Sequence, residues 1–339
     1  MIPDEHILAQ AADILKEMPG PMTKGHLRDE IVRRLDVSYD EAMAVISVLM
    51  KRDLLRSDRT DRGKELARRE KELHLDLLDS VVGLTGVKDE VRRIAGLAWA
   101  DRQRRRLGVD VPDISYHMVL SGNPGTGKTT VARILGQIFR ELGILSSGHL
   151  VEADRSALVS HYVGDTALKT NALVDSAMGG ILFIDEAYSL MYGNESSSFA
   201  DEAVATLLKR MEDNRDDLVV ILAGYTDEME AFLESNPGLK SRFRTHLKFP
   251  DYNPSELTEI FIRQVLGNGM QVENRALARV KAVVTAKLSS ADRRTFGNGR
   301  YARNLFESAL SSQAIRLMGA PNVTKRDLMI LRECDIMLV

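Results

Sequence analysis

Residues 122–129, Gly-Asn-Pro-Gly-Thr-Gly-Lys-Thr, put two flexible turns, an ammonium and a hydroxyl in an order that can wrap a polyphosphate. Gly125 and Gly127 let the backbone curl so that successive N–H groups face one point. The apolar-periodic run after them predicts a helix whose N-terminus adds its positive dipole end there. In this spacing Lys128 reaches the β- and γ-phosphates and the Thr129 hydroxyl ligates Mg2+. Asn123, Pro124, Thr126 and Thr130 complete the expected cradle. A second constellation stands at 185–186, where the apolar run Ile181 to Ile184 ends in Asp185 and Glu186. Ligands of open α/β sheets bind at the carboxyl ends of strands. Asp185 is therefore expected to hold Mg2+, usually through water, and Glu186 to polarise the attacking water as general base. A glycine-rich turn or an acidic turn alone is commonplace. The two together, each behind an apolar strand, predict hydrolysis of ATP with Mg2+.

The elements that must position these groups follow from the apolar patterning. The segments "HMVLSG", "HLVEAD", "GILFIDEA", "LVVILAGY" and "THLKFP" alternate with helical stretches. Contiguous apolar runs between helices predict a five-stranded parallel sheet covered on both faces, an α/β fold over residues 76–250. After Pro250 the strands stop. Residues 254–267, 274–289, 300–318 and 324–335 read as helices, so an all-helical lid is expected over 251–339. Residues 5–18, 24–35 and 38–52 read as three helices. A short apolar segment at Leu54 and Leu55, a polar turn and a further helix follow. That order predicts a winged-helix-like domain over residues 1–75.

Composition sets outer bounds. The 339 residues are 44% apolar and 28% charged with net charge −3, which excludes a disordered or collagen-like chain. No apolar run approaches the roughly 20 residues that span a bilayer, and the start lacks a signal-peptide pattern. The single cysteine, Cys334, excludes an internal disulfide and a cysteine-based zinc site, so a cytoplasmic home is expected. Basic residues gather between Lys51 and Lys71, interleaved with five acidic ones. DNA and protein are both open as partners of residues 1–75.

The order "SVVGLTGVKDEV", "GNPGTGKTT", "YVGDTALKT", "ILFIDEAYSL", "VVILAGYTDEM", "NPGLKSRF" and "GNGRYARN" resembles the CbxX/CfqX branch of the AAA+ ATPases. That branch includes red-type Rubisco activases, sporulation protein K-type proteins and AAA+ components of type VII secretion. The resemblance runs from about Leu78 to the C-terminus. It implies that Val82, Gly83 and Leu84 line the adenine pocket. It implies that Arg242 is the arginine finger reaching a neighbouring subunit's γ-phosphate, with Arg244 a second candidate. Arg300 matches the sensor-2 arginine at the start of a lid helix, with Arg303 one turn on as the alternative. Each arginine could equally form a surface ion pair. At the sensor-1 position, where asparagine is usual, stands Tyr225, and which of Tyr225, Thr226 or Asp227 orients the water is open.

The resemblance also bears on Tyr162, Val163 and Gly164. In AAA+ remodellers an aromatic–hydrophobic–glycine loop between the second strand and its following helix projects into a central pore. An aromatic face can grip an extended chain without demanding a sequence, and glycine lets the loop move. The plain alternative is a tyrosine buried in the core. The resulting expectation is a ring, most simply a hexamer, that couples ATP hydrolysis to remodelling of a protein partner. The alternative is a DNA-directed AAA+ protein recruited through residues 1–75.

Overall fold

In the computed structural model the five apolar runs form one parallel sheet in the order β2-β3-β4-β1-β5. The strands are β1 (Met118–Gly122), β2 (Leu150–Ala153), β3 (Ile181–Ile184), β4 (Val219–Gly224) and β5 (Thr245–Phe249). The structure describes residues 74–110, 114–160, 162, 164–191 and 197–337, together with 24–35 and isolated positions between 7 and 45. Two compact units divide the chain, Met1–Glu72 and Leu73–Val339.

Every residue of β1, β3 and β4 is buried, which is why these strands read as unbroken apolar runs. Successive side chains point to opposite faces and so feed two separate cores. On one face Met118, Leu120, Phe183 and Ile221 pack with α1 (Thr85–Arg106) and α2 (Lys128–Leu142). On the other, Val119, Leu182, Ile184 and Leu222 pack with α3 (Asp165–Ser176), α4 (Ser197–Asp213) and α5 (Thr226–Ser235).

The strand order positions the site. β4 pairs with β3 on one side and β1 on the other. The loops leaving β1 and β3 therefore flank the end of β4, bringing residues 122–129, 185–186 and 225 to one edge of the sheet.

The lid consists of α6 (Pro254–Gly267), α7 (Asn274–Ser290) and α8 (Gly299–Met318). The start of α6 is written in the sequence. Asn253 accepts from the backbone N–H of Glu256, Glu256 reaches back to the Asn253 N–H, and Pro254 occupies the first turn. One expectation is corrected. Residues 324–335 are not one helix: a short helix, Lys325–Met329, gives way to β7 (Ile330–Leu331), which pairs in parallel with β6 (Gln271–Val272). The buried Gln313 amide accounts for the break. It donates to the carbonyls of Asp327, Leu328 and Ile330 at 3.2, 3.3 and 2.9 Å, satisfying groups that a continuing helix would have used.

In the first unit, helix Lys24–Leu35 is described, with Ile31 buried and Glu30 accepting from both Arg33 and Arg34. Most of the rest of the winged-helix reading, including the basic run 51–71, lies outside the described residues. Among the described residues no helix is long and apolar enough to cross a membrane.

Candidate nucleotide site

Gly125 and Gly127 adopt φ of 73° and 97°, the left-handed region that favours glycine. At Gly125 the need is also steric, since a Cβ there would lie 2.0 Å from the Gly297 carbonyl oxygen. The curl ends at Lys128, the first residue of α2, so the loop's N–H groups and the helix N-terminus converge. Thr126 is fully buried, and its hydroxyl donates to Asn123 O at 2.8 Å. The Lys128 ammonium donates to Gly122 O at 2.7 Å and Asn123 O at 3.0 Å. Burial pushes its pKa down. Asp185 and Glu186 oppose that shift, while Arg300 reinforces it.

A cavity of about 780 Å³ opens over this loop, within the range of small-molecule sites. From the sequence-predicted set it brings together Val82, Pro124, Gly125, Gly127, Lys128, Thr129, Thr130, Asp185, Glu186, Tyr225, Arg300 and Arg303. Asn123 and Thr126 stand behind the wall as loop supports. Gly83 and Leu84 are supports too: Leu84 is buried as the N-cap of α1, and a Cβ on Gly83 would meet the Glu256 carboxylate. Of the three sensor-1 candidates only Tyr225 lines the cavity. Its ring stands 6.0 Å from that of Tyr188, and the Arg294 guanidinium from the lid lies 5.6 Å over it. Burial, then the Glu186 and Tyr225 neighbours, push the Tyr188 hydroxyl up to about 12.

Several lining residues carry no signal in the local sequence. Tyr252, Ile260, Arg263, Gln264 and Asn268 come from the lid side. Arg263 donates to Asp79 O at 3.3 Å and Ser80 O at 2.5 Å, fastening α6 to the segment before α1. The cavity thus has a charged phosphate-loop side, while Val82 and Ile260 add apolar surface to its lining.

Thr129 and Asp185 offer hard oxygen donors to the cavity. Among the described residues no cluster of three or more His, Cys, Asp or Glu side chains could hold a metal. A site with few protein ligands suits Mg2+, which keeps several waters and takes substrate phosphate oxygens. Glu186, just beyond Asp185, sits at φ 48° in the turn after β3. Such strain in a non-glycine residue is concentrated at functional positions. A second cavity of about 560 Å³, walled by Arg155, Ser156, Val159 and Ser189, also reaches Asp185 and Glu186. The acidic pair therefore stands between two openings.

Arg242 does not line either cavity. It ends the one-turn helix Pro237–Arg242, half-buried, with Nε 3.5 Å from the Glu212 carboxylate. Arg244 is exposed and donates from Nε to Ser241 O at 3.1 Å. Arg300 and Arg303 project from the first turns of α8.

Tyr162 is 74% exposed. It is followed closely by Gly164, at φ 86° with open space around it, while Val163 lies outside the described residues. The base of this loop is fixed by two fully buried threonines of α3. Thr166 accepts from Ser160 N–H at 3.1 Å, and Thr170 donates to Leu158 O at 3.1 Å. The arrangement is an anchored base with an exposed aromatic tip.

Residues 118–251 match the family described as "ATPase family associated with various cellular activities (AAA)", and residues 253–338 match the AAA lid domain. Stage V sporulation protein K of Bacillus subtilis (strain 168) is 42% identical over 259 residues, covering 76% of this chain and 80% of that one. Protein CbbX of Cereibacter sphaeroides is 41% identical over 268 residues, 78% of this chain and 86% of its own. The chloroplastic ribulose bisphosphate carboxylase/oxygenase activase of Cyanidioschyzon merolae (strain NIES-3377 / 10D) is 41% identical over 266 residues, 78% of this chain and 90% of its own. The FIGL-1 AAA domain in complex with ADP is similar in fold, with a TM-score of 0.53 at 23% identity over 75% of this chain and 80% of that one.

Proposed function

Since the chain belongs to the AAA family of ATPases, and so binds and hydrolyses ATP with Mg2+ as the usual partner ion, we propose that it works as a ring that spends each hydrolysis on remodelling a protein partner. The observation that carries this reading is Tyr162, a large aromatic left 74% exposed at the tip of a loop with a rigid base. A tyrosine held for packing would be buried. One held out on a glycine-flanked loop can grip a passing chain through its ring face. One relative supports a protein partner, being named as an activase of ribulose bisphosphate carboxylase/oxygenase.

In this reading the phosphate-loop N–H groups and Lys128 hold the β- and γ-phosphates, and Val82 and Ile260 enclose the base. Thr129 and Asp185 would hold Mg2+, which neutralises charge on the phosphate oxygens. Glu186 accepts the proton of the attacking water, and Tyr225 borders the path of that water. Arg300 brings positive charge from the lid to the oxygens where charge spreads, with Arg303 one turn behind. Arg242 lines neither cavity of its own subunit, which supports its action on a neighbour's γ-phosphate, and Arg244 is the other candidate. An arginine supplied between subunits needs a head-to-tail contact, which forms a ring when its rotation closes, and six copies is the arrangement proposed.

The test replaces Tyr162 with a photo-crosslinking amino acid in a Glu186→Gln background, which should hold ATP. In the presence of ATP the probe should crosslink to a polypeptide, and the same probe in a Lys128→Ala background should not. Crosslinking to DNA, or none at all in the ATP-holding variant, overturns the reading. The DNA-directed alternative rests on the winged-helix reading of residues 1–75, most of which lie outside the described residues, and no observation favours it.

A further inference from the structure

The phosphate loop is held from the lid side by a polar junction. Asp251, two residues beyond β5, accepts both of its contacts with Asn123 Nδ2, at 2.9 and 3.1 Å. The same carboxylate accepts from Asn298 Nδ2 at 2.9 Å. Asn298 also donates to Pro124 O at 3.3 Å, and its amide oxygen accepts the Tyr252 N–H at 3.0 Å. Gly299 N–H donates to Gly125 O at 3.0 Å, and the Tyr252 hydroxyl donates to Thr126 O at 3.1 Å. Four consecutive loop residues, 123 to 126, are therefore each fastened by a group from the strand end or the lid.

Asn298 is the centre of this junction. It is completely buried and caps α8 with φ 46° and ψ −117°, a conformation that L side chains rarely adopt. Asparagine and aspartate are the side chains that visit positive φ most readily. Strain of this kind persists only where the surroundings fix it, and here the fixing bonds all run to the phosphate loop or its neighbours. Two residues later the same helix start carries Arg300 into the cavity. Any tilt of α8 against the loop would move that guanidinium relative to the loop's N–H groups.

We propose that Asn298 and Asp251 are positioning residues for hydrolysis, locking the start of α8 to the phosphate loop so that Arg300 and the loop grip the triphosphate in one fixed geometry. This rests on the reading of residues 122–129 as the triphosphate cradle and of Arg300 as its lid-side arginine. The junction touches no γ-phosphate itself, so its loss should weaken turnover more than nucleotide affinity. Misplacement of a catalytic group by about 1 Å can cost on the order of 100-fold in rate.

The experiment is a reciprocal exchange. Asn298→Asp sets two carboxylates against each other and takes away the donor to Pro124 O, whereas Asp251→Asn keeps an amide oxygen that can still accept from Asn123 and Asn298. In the double variant the amide at 251 can donate to the carboxylate at 298, whose other oxygen still accepts the Tyr252 N–H. Asn298→Asp should lose about 10-fold or more in kcat with ADP affinity held within about 3-fold, and Asp251→Asn should lose less. The double variant should recover part of the Asn298→Asp loss, the bond to Pro124 O staying unmade. Asn123→Ala removes the loop end of the bridge and leaves the lid end whole. It should show the same split between kcat and affinity, which keeps the test readable if a variant at 298 fails to fold. A folded Asn298→Asp or Asn123→Ala variant with wild-type kcat, or a folded double variant no better than Asn298→Asp, overturns the proposal. Lys128→Ala in the same assay separates the two levels. If it binds nucleotide normally, the cradle reading itself fails; if it loses binding while the exchange gives no recovery, only the junction fails.

Discussion

The Lys128 ammonium lies 2.7 Å from the carbonyl oxygen of Gly122, so the side chain expected to face phosphate is oriented by the loop to which it belongs. The contact draws the chain over the loop and into the field of Asp185 and Glu186, whose charges favour its protonated form. Lys128→Ala should therefore lose nucleotide affinity by roughly 10- to 100-fold, the usual scale for hydrogen bonds to a charged group. Titration with a fluorescent ATP analogue measures this. Glu186→Gln should bind as wild type and turn over about 10²- to 10⁴-fold more slowly, because an amide is a poor general base. Normal turnover in Glu186→Gln would remove Glu186 from the mechanism.

Tyr162→Ala should leave thermal stability nearly unchanged, because a side chain 74% exposed contributes little packing. A tyrosine in the core would cost about 3–5 kcal/mol on truncation, by analogy with other large aromatics. Calorimetry of the two proteins decides between these. A melting point many degrees lower would make Tyr162 a packing residue.

Stability should fall in acid through His117. Its Nδ1 accepts the Val220 N–H at 3.0 Å, so the ring proton sits on Nε2, which faces Met211 O at 3.4 Å. Burial, with a smaller push from Arg242, brings its pKa down from 6.5 to about 4. The folded state binds this proton less readily than the unfolded state. The contribution is therefore complete above pH 6.5 and is lost as pH drops through 6.5 toward 4. Linkage sets the loss at about 3 kcal/mol between pH 7 and pH 4. Urea denaturation of wild type and His117→Gln across that range should give curves whose separation changes by this amount. Parallel curves would mean that His117 is not titrating in the unfolded state alone.

The sheet side of this site was legible because its signals are local. β1, β3 and β4 are buried at every position and so spell out unbroken apolar runs, and the phosphate loop and acidic pair each occupy consecutive residues. The lid side was not legible in the same way. Arg263 reaches Ser80, and Asn298 reaches Pro124, through contacts that only the folded chain creates. Asn298 did carry a usable hint, since an asparagine between two glycines suits a positive-φ turn. The end of the chain misled because helical periodicity continues past Met329, and the carbonyls there are taken by Gln313, a residue on another helix.

The most direct measurement of the account is the ATPase rate of mixed subunits. Arg242→Ala should bind ATP normally yet turn over about 10³-fold more slowly, the scale of a lost arginine finger. Its ion pair with the Glu212 carboxylate is loose, at 3.5 Å, so folding should be nearly unaffected. Lys128→Ala should turn over little at ATP concentrations near the wild-type Kd, for want of bound nucleotide. When equal amounts co-assemble at random, about a quarter of interfaces pair an intact nucleotide site with a neighbour's intact Arg242, as head-to-tail ring contacts require. The mixture should then recover up to about that fraction of the wild-type rate. Co-assembled subunits that recover no activity at any ratio would contradict hydrolysis completed by Arg242 of an adjoining subunit.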